Sequence, residues 1–515
     1  MEKKLTDGPV FSVLLRFTLP VIAGNLFQLF YTLADTVIVG RTLGSNALAA
    51  VGSTGTVIYF VLCFIQGFTG GLGICLGNRC GAADTAGMRR SAAISWLLSL
   101  TISVILTAAG CLLIPNILAW MQTPQELWQE AHAYLFVVLL GTSATVFYNI
   151  ISNMLRALGE SRIPLIFLVL SSLLNVVLDI IFIVPCAMGV AGAAWATVLS
   201  QLIAAALCTA VAFHRFPELL PHRADLEDWR STMKQHLNMS LPMGFQMSVM
   251  CIGQLVMQAA VNALGAAAMA GYTAATKADQ LSVLVNNAFG LALSSFVAQN
   301  YGAHRVDRIR QGVRASLIQI QSSNLLMCAI LLLCCNPVVS LFLDNPTAEI
   351  LGYAKGYFVA VAPFYVLLGF LMVFRTAVQS MGNRTAPFAA CITELVMRIG
   401  STLLLGSILG YTGICLASPL AWMGATVLLI PVYRHAIRQK RVGTPQIYPA
   451  KQNSSGYNKC AAELLPRISV YFCQIILVGY CSSTVTFRNS SGYRCRLRSA
   501  LRQIPLWSEF GSGIW

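Results

Sequence analysis

Charge is what this sequence has little of. Of 515 residues only 10% are charged, and acids are the scarcer sign, with 19 Asp+Glu against 34 Lys+Arg. A soluble domain carries roughly a quarter charged residues. With 57% hydrophobic residues and a mean hydropathy of +0.70, the composition excludes a soluble enzyme, a disordered chain and a disulfide-built secreted module. Cysteine pairing is missing too. The 16 Cys include no C-x-x-C spacing, and Cys63, Cys251 and Cys328 sit inside apolar runs, where thiols read as small hydrophobes. No G-x-x-x-x-G-K-[ST] loop offers ATP binding, and no H-E-x-x-H or G-x-S-x-G motif supports an enzyme. The absence of a TVGYG-type filter argues against a K⁺ channel.

What is present is hydrophobic length. A helix needs about 20 mostly apolar residues to cross a bilayer, and twelve such runs are expected near 14–39, 51–76, 91–114, 133–156, 163–184, 190–213, 238–262, 268–298, 313–335, 356–378, 387–409 and 411–433. Lys3 and Lys4 precede the first run, but it is too long for the apolar region of a signal peptide, and no small-residue cleavage site follows. The positive charge is explained by topology. Of 26 Lys+Arg up to Arg441, twenty fall in the N-terminal tail, the even-numbered loops and the segment after the twelfth run, among them Arg79, Arg89, Arg90, Arg162, Arg305 and Arg308. The odd-numbered loops hold Arg41 and Lys355. Positive residues gather on the cytoplasmic side, so the N-terminus is expected there, in a multi-pass plasma (inner) membrane protein. A nucleic-acid surface would instead concentrate its cations on one element and interleave aromatics, so no nucleic-acid partner is expected.

The chain also repeats itself. At an offset of roughly 222 residues, Leu19-Pro20 meets Leu241-Pro242, and Leu43-Gly44 meets Leu264-Gly265. Asn78-Arg79-Cys80-Gly81-Ala82 meets Gln299-Asn300-Tyr301-Gly302-Ala303, and Leu158-Gly159 with Pro164 meets Met381-Gly382 with Pro387. Six runs per half make both halves enter the membrane the same way round, which is a parallel repeat. The expected fold is therefore all-α and polytopic, with twelve transmembrane helices in two six-helix bundles, 1–213 and 237–441. The mixed-charge stretch 214–236 serves as a cytoplasmic linker. The tail 442–515 departs from the repeat and carries eight Lys+Arg and two acids. Residues 468–487 are apolar, but a span there would leave five Arg outside, so the tail is expected to be interfacial or disordered.

Two facing bundles that rock against each other make a secondary transporter, and ionisable residues inside the membrane mark its working parts. Asp35 lies deep in the first run. Asn175 and Asp179 are i,i+4 in the fifth and share a helical face. With the hydroxyl of Thr197, these oxygens suit Na⁺, or burial and mutual repulsion favour uptake of a proton. In the alternative reading, Asp35 ends its helix and Asp179 bonds neighbouring groups. In the second half Glu394 and Arg398 are i,i+4 and can neutralise each other, Arg375 is expected to snorkel towards the cytoplasmic surface, and Lys277 and Asp279 point apart, each needing another partner. Gln254, Gln258, Lys277, Glu394 and Arg398 are the candidates for a substrate cavity. Pro20 can bend the first helix.

The opening Leu19-Pro20…Asp35…Val39-Gly40-Arg41…Leu43-Gly44, together with Leu158-Gly159, Asn175-x-x-x-Asp179 and the repeat, resembles the multidrug and toxic compound extrusion (MATE) family in its bacterial form, over about residues 9–440. The resemblance implies a V-shaped pair of bundles that exports organic cations, drugs or related amphiphiles in exchange for H⁺ or Na⁺. It also implies cation coupling at Asp35, Asn175, Asp179 and Thr197 and helix bending at Pro20. The further carboxylates that one branch places in helices seven and ten have no counterpart here, where Gln246, Gln254, Gln258 and Arg375 stand. No cofactor beyond the coupling ion is expected. The expected partners are small-molecule substrates and the lipid bilayer, and the expected state is a monomer. A lipid-linked saccharide flippase, also built from two repeated bundles, is the alternative class.

Overall fold

The computed structural model describes residues 5–222, 229–343 and 346–442. Residues 443–515, with the apolar stretch 468–487, lie outside the described residues. Among these, the chain is helical throughout. The first half contains α1 (Val10–Leu43), α2 (Ser45–Gly81), α3 (Thr85–Trp120), α4 (Gln125–Leu140), α5 (Thr142–Ala157), α6 (Arg162–Ile183) and α7 (Gly189–Arg215). The second contains α8 (Trp229–Asn262), α9 (Ala266–Gly302), α10 (Val306–Leu333), α11 (Cys335–Ser340), α12 (Ala348–Val361), α13 (Tyr365–Ser380), α14 (Thr385–Leu409) and α15 (Tyr411–Val442).

Eleven stretches are long and apolar enough to span a membrane, and α4 with α5, bent by 40°, makes a twelfth. The bend falls at Gly141, where a Cβ would sit 2.1 Å from Val198 Cγ2, so the missing side chain lets α7 pack into the break. Pro20 does not break α1, which runs through it as one helix. The expected linker is shorter than 214–236, because α8 already starts at Trp229.

The repeat is written into the backbone. Eight of the eleven left-handed φ values among the described residues fall in pairs: Gly44 (88°) with Gly265 (105°), Ala83 (55°) with His304 (57°), Gly159 (94°) with Gly382 (88°), and Gly189 (60°) with Gly410 (58°). Each pair occupies the same inter-helix turn of the two halves. At Gly44 and Gly265 the conformation, with ψ near 180° as well, is one that essentially only glycine adopts.

The halves meet along α2, α8 and α9. A Cβ at Gly81 would lie 1.8 Å from the Gln299 carbonyl, and one at Gly302 would lie 1.9 Å from that of Asn78. Since Gly81 corresponds to Gly302 and Asn78 to Gln299, this contact is its own image under the two-fold relation between the halves. Gly67 and Gly71 press in the same way on the backbone of Met243 and Ser240 in α8. The N-terminal segment of the first half is tied to the second at this end. Gln299 accepts from the Leu5 amide (3.1 Å), Arg305 donates to the Thr6 carbonyl (2.6 Å), and Arg308 donates to that of Gly8 (2.9 Å). Towards the opposite ends of the helices, Gly52, Gly55 and Gly265 have nothing within 4 Å of a built Cβ.

Candidate functional site

The polar site of the first half is built by turning soluble-protein patterning inside out. On α6 the buried positions include Ser171, Ser172, Asn175 and Asp179, while Ile166, Leu173, Val177 and Ile180 are at least half exposed. In hydrocarbon the apolar face needs no cover and the polar stripe must find partners inside. Asp179 and Asn175 are almost completely buried, at 0% and 1% exposure. With its carbonyl turned to α7, the Asn175 amide accepts from Thr197 Oγ1 and Thr197 N (both 3.2 Å) and donates to Asp179 Oδ2 (3.3 Å). The close approach of α1 to α6 is made at Gly24, where a Cβ would touch Leu168 at 3.1 Å.

Asp35 and Asp179 come within hydrogen-bonding reach of each other. Each keeps one buried oxygen, Oδ1, with no hydrogen-bond partner. Among the described residues neither enters an ion pair. Two ionised carboxylates in such contact repel strongly in a low-dielectric interior, so a proton or a small cation completes the pair. Every donor atom available is oxygen, the donor set of a proton or a hard cation. Tyr31 and Tyr134 lie close enough to feel both charges, and Tyr31 also reaches Gln201, which accepts from Thr145 Oγ1 at 2.6 Å. Asp35 and Asp179 stand roughly two turns and one turn before the far ends of their helices, away from the seam at Gly81 and Gly302.

The second half carries a different polar core. Glu394 on α14 lies between two guanidiniums, accepting from Arg398 Nη2 (2.9 Å) and from Arg375 Nη2 on α13. All three are 2–4% exposed. Gly253 makes the room for Arg398, since a Cβ there would be 3.0 Å from Arg398 Cδ. Nearby on α9, Asp279 accepts from Tyr357 OH (3.0 Å) and from Tyr365 OH. Asn324 donates to the Tyr365 carbonyl (2.9 Å) and is bonded in turn to Asn286.

Known proteins share this plan. The MatE family model matches the chain twice, over residues 20–181 and 242–404, once in each half. The chain belongs to the MatE family. "Probable multidrug resistance protein YpnP" of Bacillus subtilis is 29% identical over 433 residues, covering 84% of this chain and 96% of that protein. The "FAD transporter" of Shewanella oneidensis is 25% identical over 421 residues, covering 81% and 92%. A solved structure described as "Outward-facing conformation of a multidrug resistance MATE family transporter of the MOP superfamily" superposes with a TM-score of 0.79 at 26% identity, over 85% of this chain and 98% of the other. This MatE-family chain is thus a multi-pass membrane transport protein, and the saccharide-flippase alternative finds no support among these relatives.

Of the residues picked from sequence, Asp35, Asn175, Asp179 and Thr197 are brought together. The five cavity candidates fare differently. Glu394 and Arg398 are buried and bound to each other. Gln258 donates to Asn262 (2.8 Å), and Gln254 and Lys277 are exposed. Arg375 does not snorkel as expected. Glu394 offers it a second carboxylate oxygen inside the bundle, which holds the guanidinium better than a stretch to the surface would. Tyr31, Gln201, Tyr134 and the tyrosine pair around Asp279 escaped sequence reasoning. Two had a usable signal: Tyr31 stands i−4 from Asp35 and Gln201 i+4 from Thr197, so each shares the helical face of a known site residue. Tyr134 and the tyrosines around Asp279 reach their places by tertiary packing alone.

Proposed function

We propose that this MatE-family chain is a secondary antiporter that exports organic cations, drugs or related amphiphiles in exchange for H⁺ or Na⁺, coupled at Asp35 and Asp179. The reading is carried by one observation: the buried Asp179 and the partly buried Asp35 share a site, each with an orphaned buried oxygen, and among the described residues no cation pairs with either. Asn175 and Thr197 hold Asp179 in place, and Tyr31 and Tyr134 keep the site enclosed. With the N-terminus in the cytoplasm, as the loop charges indicate, the sealed seam at Gly81 and Gly302 is the inner gate and the carboxylate pair is reached from outside. Cation binding removes the repulsion between Asp35 and Asp179 and lets α1 and α6 close on each other. Export follows when the seam opens and the site is offered to the other side. Multidrug export among the relatives supports the substrate class.

The test is transport of a fluorescent organic cation, ethidium, by protein reconstituted in liposomes with Na⁺ and pH gradients imposed separately. One of the two gradients is expected to drive export, and Asp35→Asn and Asp179→Asn are expected to abolish it. Undiminished gradient-driven export by either variant removes that residue from the coupling site.

A further inference from the structure

Two thiols face each other across the seam between the halves. Cys63 Sγ on α2 and Cys251 Sγ on α8 are 3.5 Å apart. The helices that carry them are in close contact one to three turns away, where Gly67 and Gly71 meet Met243 and Ser240 and Gly244 meets Phe64. Phe64 and Phe245 pack edge to face across the same line, and Ser248 donates to the Phe60 carbonyl (3.5 Å). The pair sits near the end of this contact. One turn further along α2, Tyr59 is 61% exposed, and at Gly55 a Cβ would meet nothing. Cys63 is buried and Cys251 is partly open, so one sulfur is accessible and its partner is already in place. Neither belongs to the polar sites described above.

We propose that Cys63 and Cys251 form a reversible disulfide that fastens the two halves together and halts transport. The oxidant is a peroxide. The Cys251 thiolate attacks one oxygen of hydrogen peroxide, the O–O bond breaks and hydroxide leaves, giving a sulfenic acid. Cys63 sulfur then attacks Cys251 sulfur, the S–O bond breaks, the S–S bond forms and water departs. Two thiols lose two electrons and two protons, and the peroxide becomes two waters. Thiol–disulfide exchange with a dithiol reverses the bond. Only a short approach is needed, from 3.5 Å to the roughly 2.05 Å of a disulfide. Once made, the bond ties α2 to α8 at the place that separates if the halves rock. The bond itself follows from the thiol geometry, while its effect on transport rests on the exchange mechanism proposed above.

The full-length protein in liposomes is treated with hydrogen peroxide, its free thiols are blocked with N-ethylmaleimide, and its peptides are mapped by mass spectrometry. A Cys63–Cys251 linked peptide is expected, together with at least tenfold slower hydrogen exchange in residues 240–248 and at least tenfold lower ethidium export. Dithiothreitol should reverse all three, and Cys63→Ser and Cys251→Ser should be insensitive. Absence of the linked peptide overturns the proposal. So does a linked protein in which seam exchange is unchanged, or in which export proceeds at the reduced rate. If the reduced protein moves no ethidium under either gradient, the function proposed above fails, while the peptide and the exchange data still decide the disulfide.

Discussion

The two halves share a backbone but not a charge state. With Pro164 set on Pro387, Asn175 falls on Arg398, Asp179 on Thr402 and Ser171 on Glu394; with Pro20 set on Pro242, Asp35 falls on Met257. With Gly189 set on Gly410, Thr197 falls on Ser418, whose hydroxyl reaches Met257 Sδ at 3.3 Å. So where the first half places two carboxyls and an amide, the second places a thioether, a hydroxyl and its own guanidinium. The second half has built the cation into its covalent structure, and Glu394 accepts from it permanently. On the function proposed above, the first half leaves that cation to be exchanged. A repeat conserves turns and crossing points because backbone geometry demands it, and function enters where the two copies are free to differ.

Five substitutions, of three kinds, probe the difference between the halves. The largest effect is expected in the first half, where Asp179→Asn and Asp35→Asn should reduce ethidium export to background while the protein remains in the membrane. The supporting measurement is unchanged monodispersity alongside the transport assay. Glu394→Gln should act on stability instead. It leaves two buried guanidiniums facing a neutral amide, at a cost of about 3–5 kcal/mol, read as a large drop in thermal unfolding temperature. If Glu394→Gln is stable and Asp179→Asn unfolds, the division of roles is reversed. The smallest effect belongs to what the halves share. Gly44→Ala and Gly265→Ala should each cost about 1–3 kcal/mol for the same backbone strain, and nearly equal shifts in unfolding temperature would show that the two turns do the same job.

How much of this was readable beforehand follows the same division. The twelve crossings and the repeat could be read because hydrophobic length and punctuation by Gly and Pro are local properties. Asn175 and Asp179 were readable for the same reason, one helical turn apart on one face. The approach of Asp35 to Asp179 joins α1 to α6, and the rarity of intramembrane acids and the family resemblance pointed to it, not any local spacing. Arg375 was misread because its partner Glu394 sits on another helix, and a lone arginine near the end of a run looks free to reach the surface. Met257 and Ser418 carried no signal at all until the repeat placed them opposite Asp35 and Thr197.

The proposed function places an exchangeable cation at Asp35 and Asp179 and at no other carboxylate within the bundles. It is tested most directly by adding ethidium to purified protein and measuring what is released, protons with a pH dye and Na⁺ with a radioactive tracer. Release of one of the two cations is expected from the wild-type protein and from Asp279→Asn, and none from Asp35→Asn/Asp179→Asn. Release from that double variant at the wild-type level would contradict it.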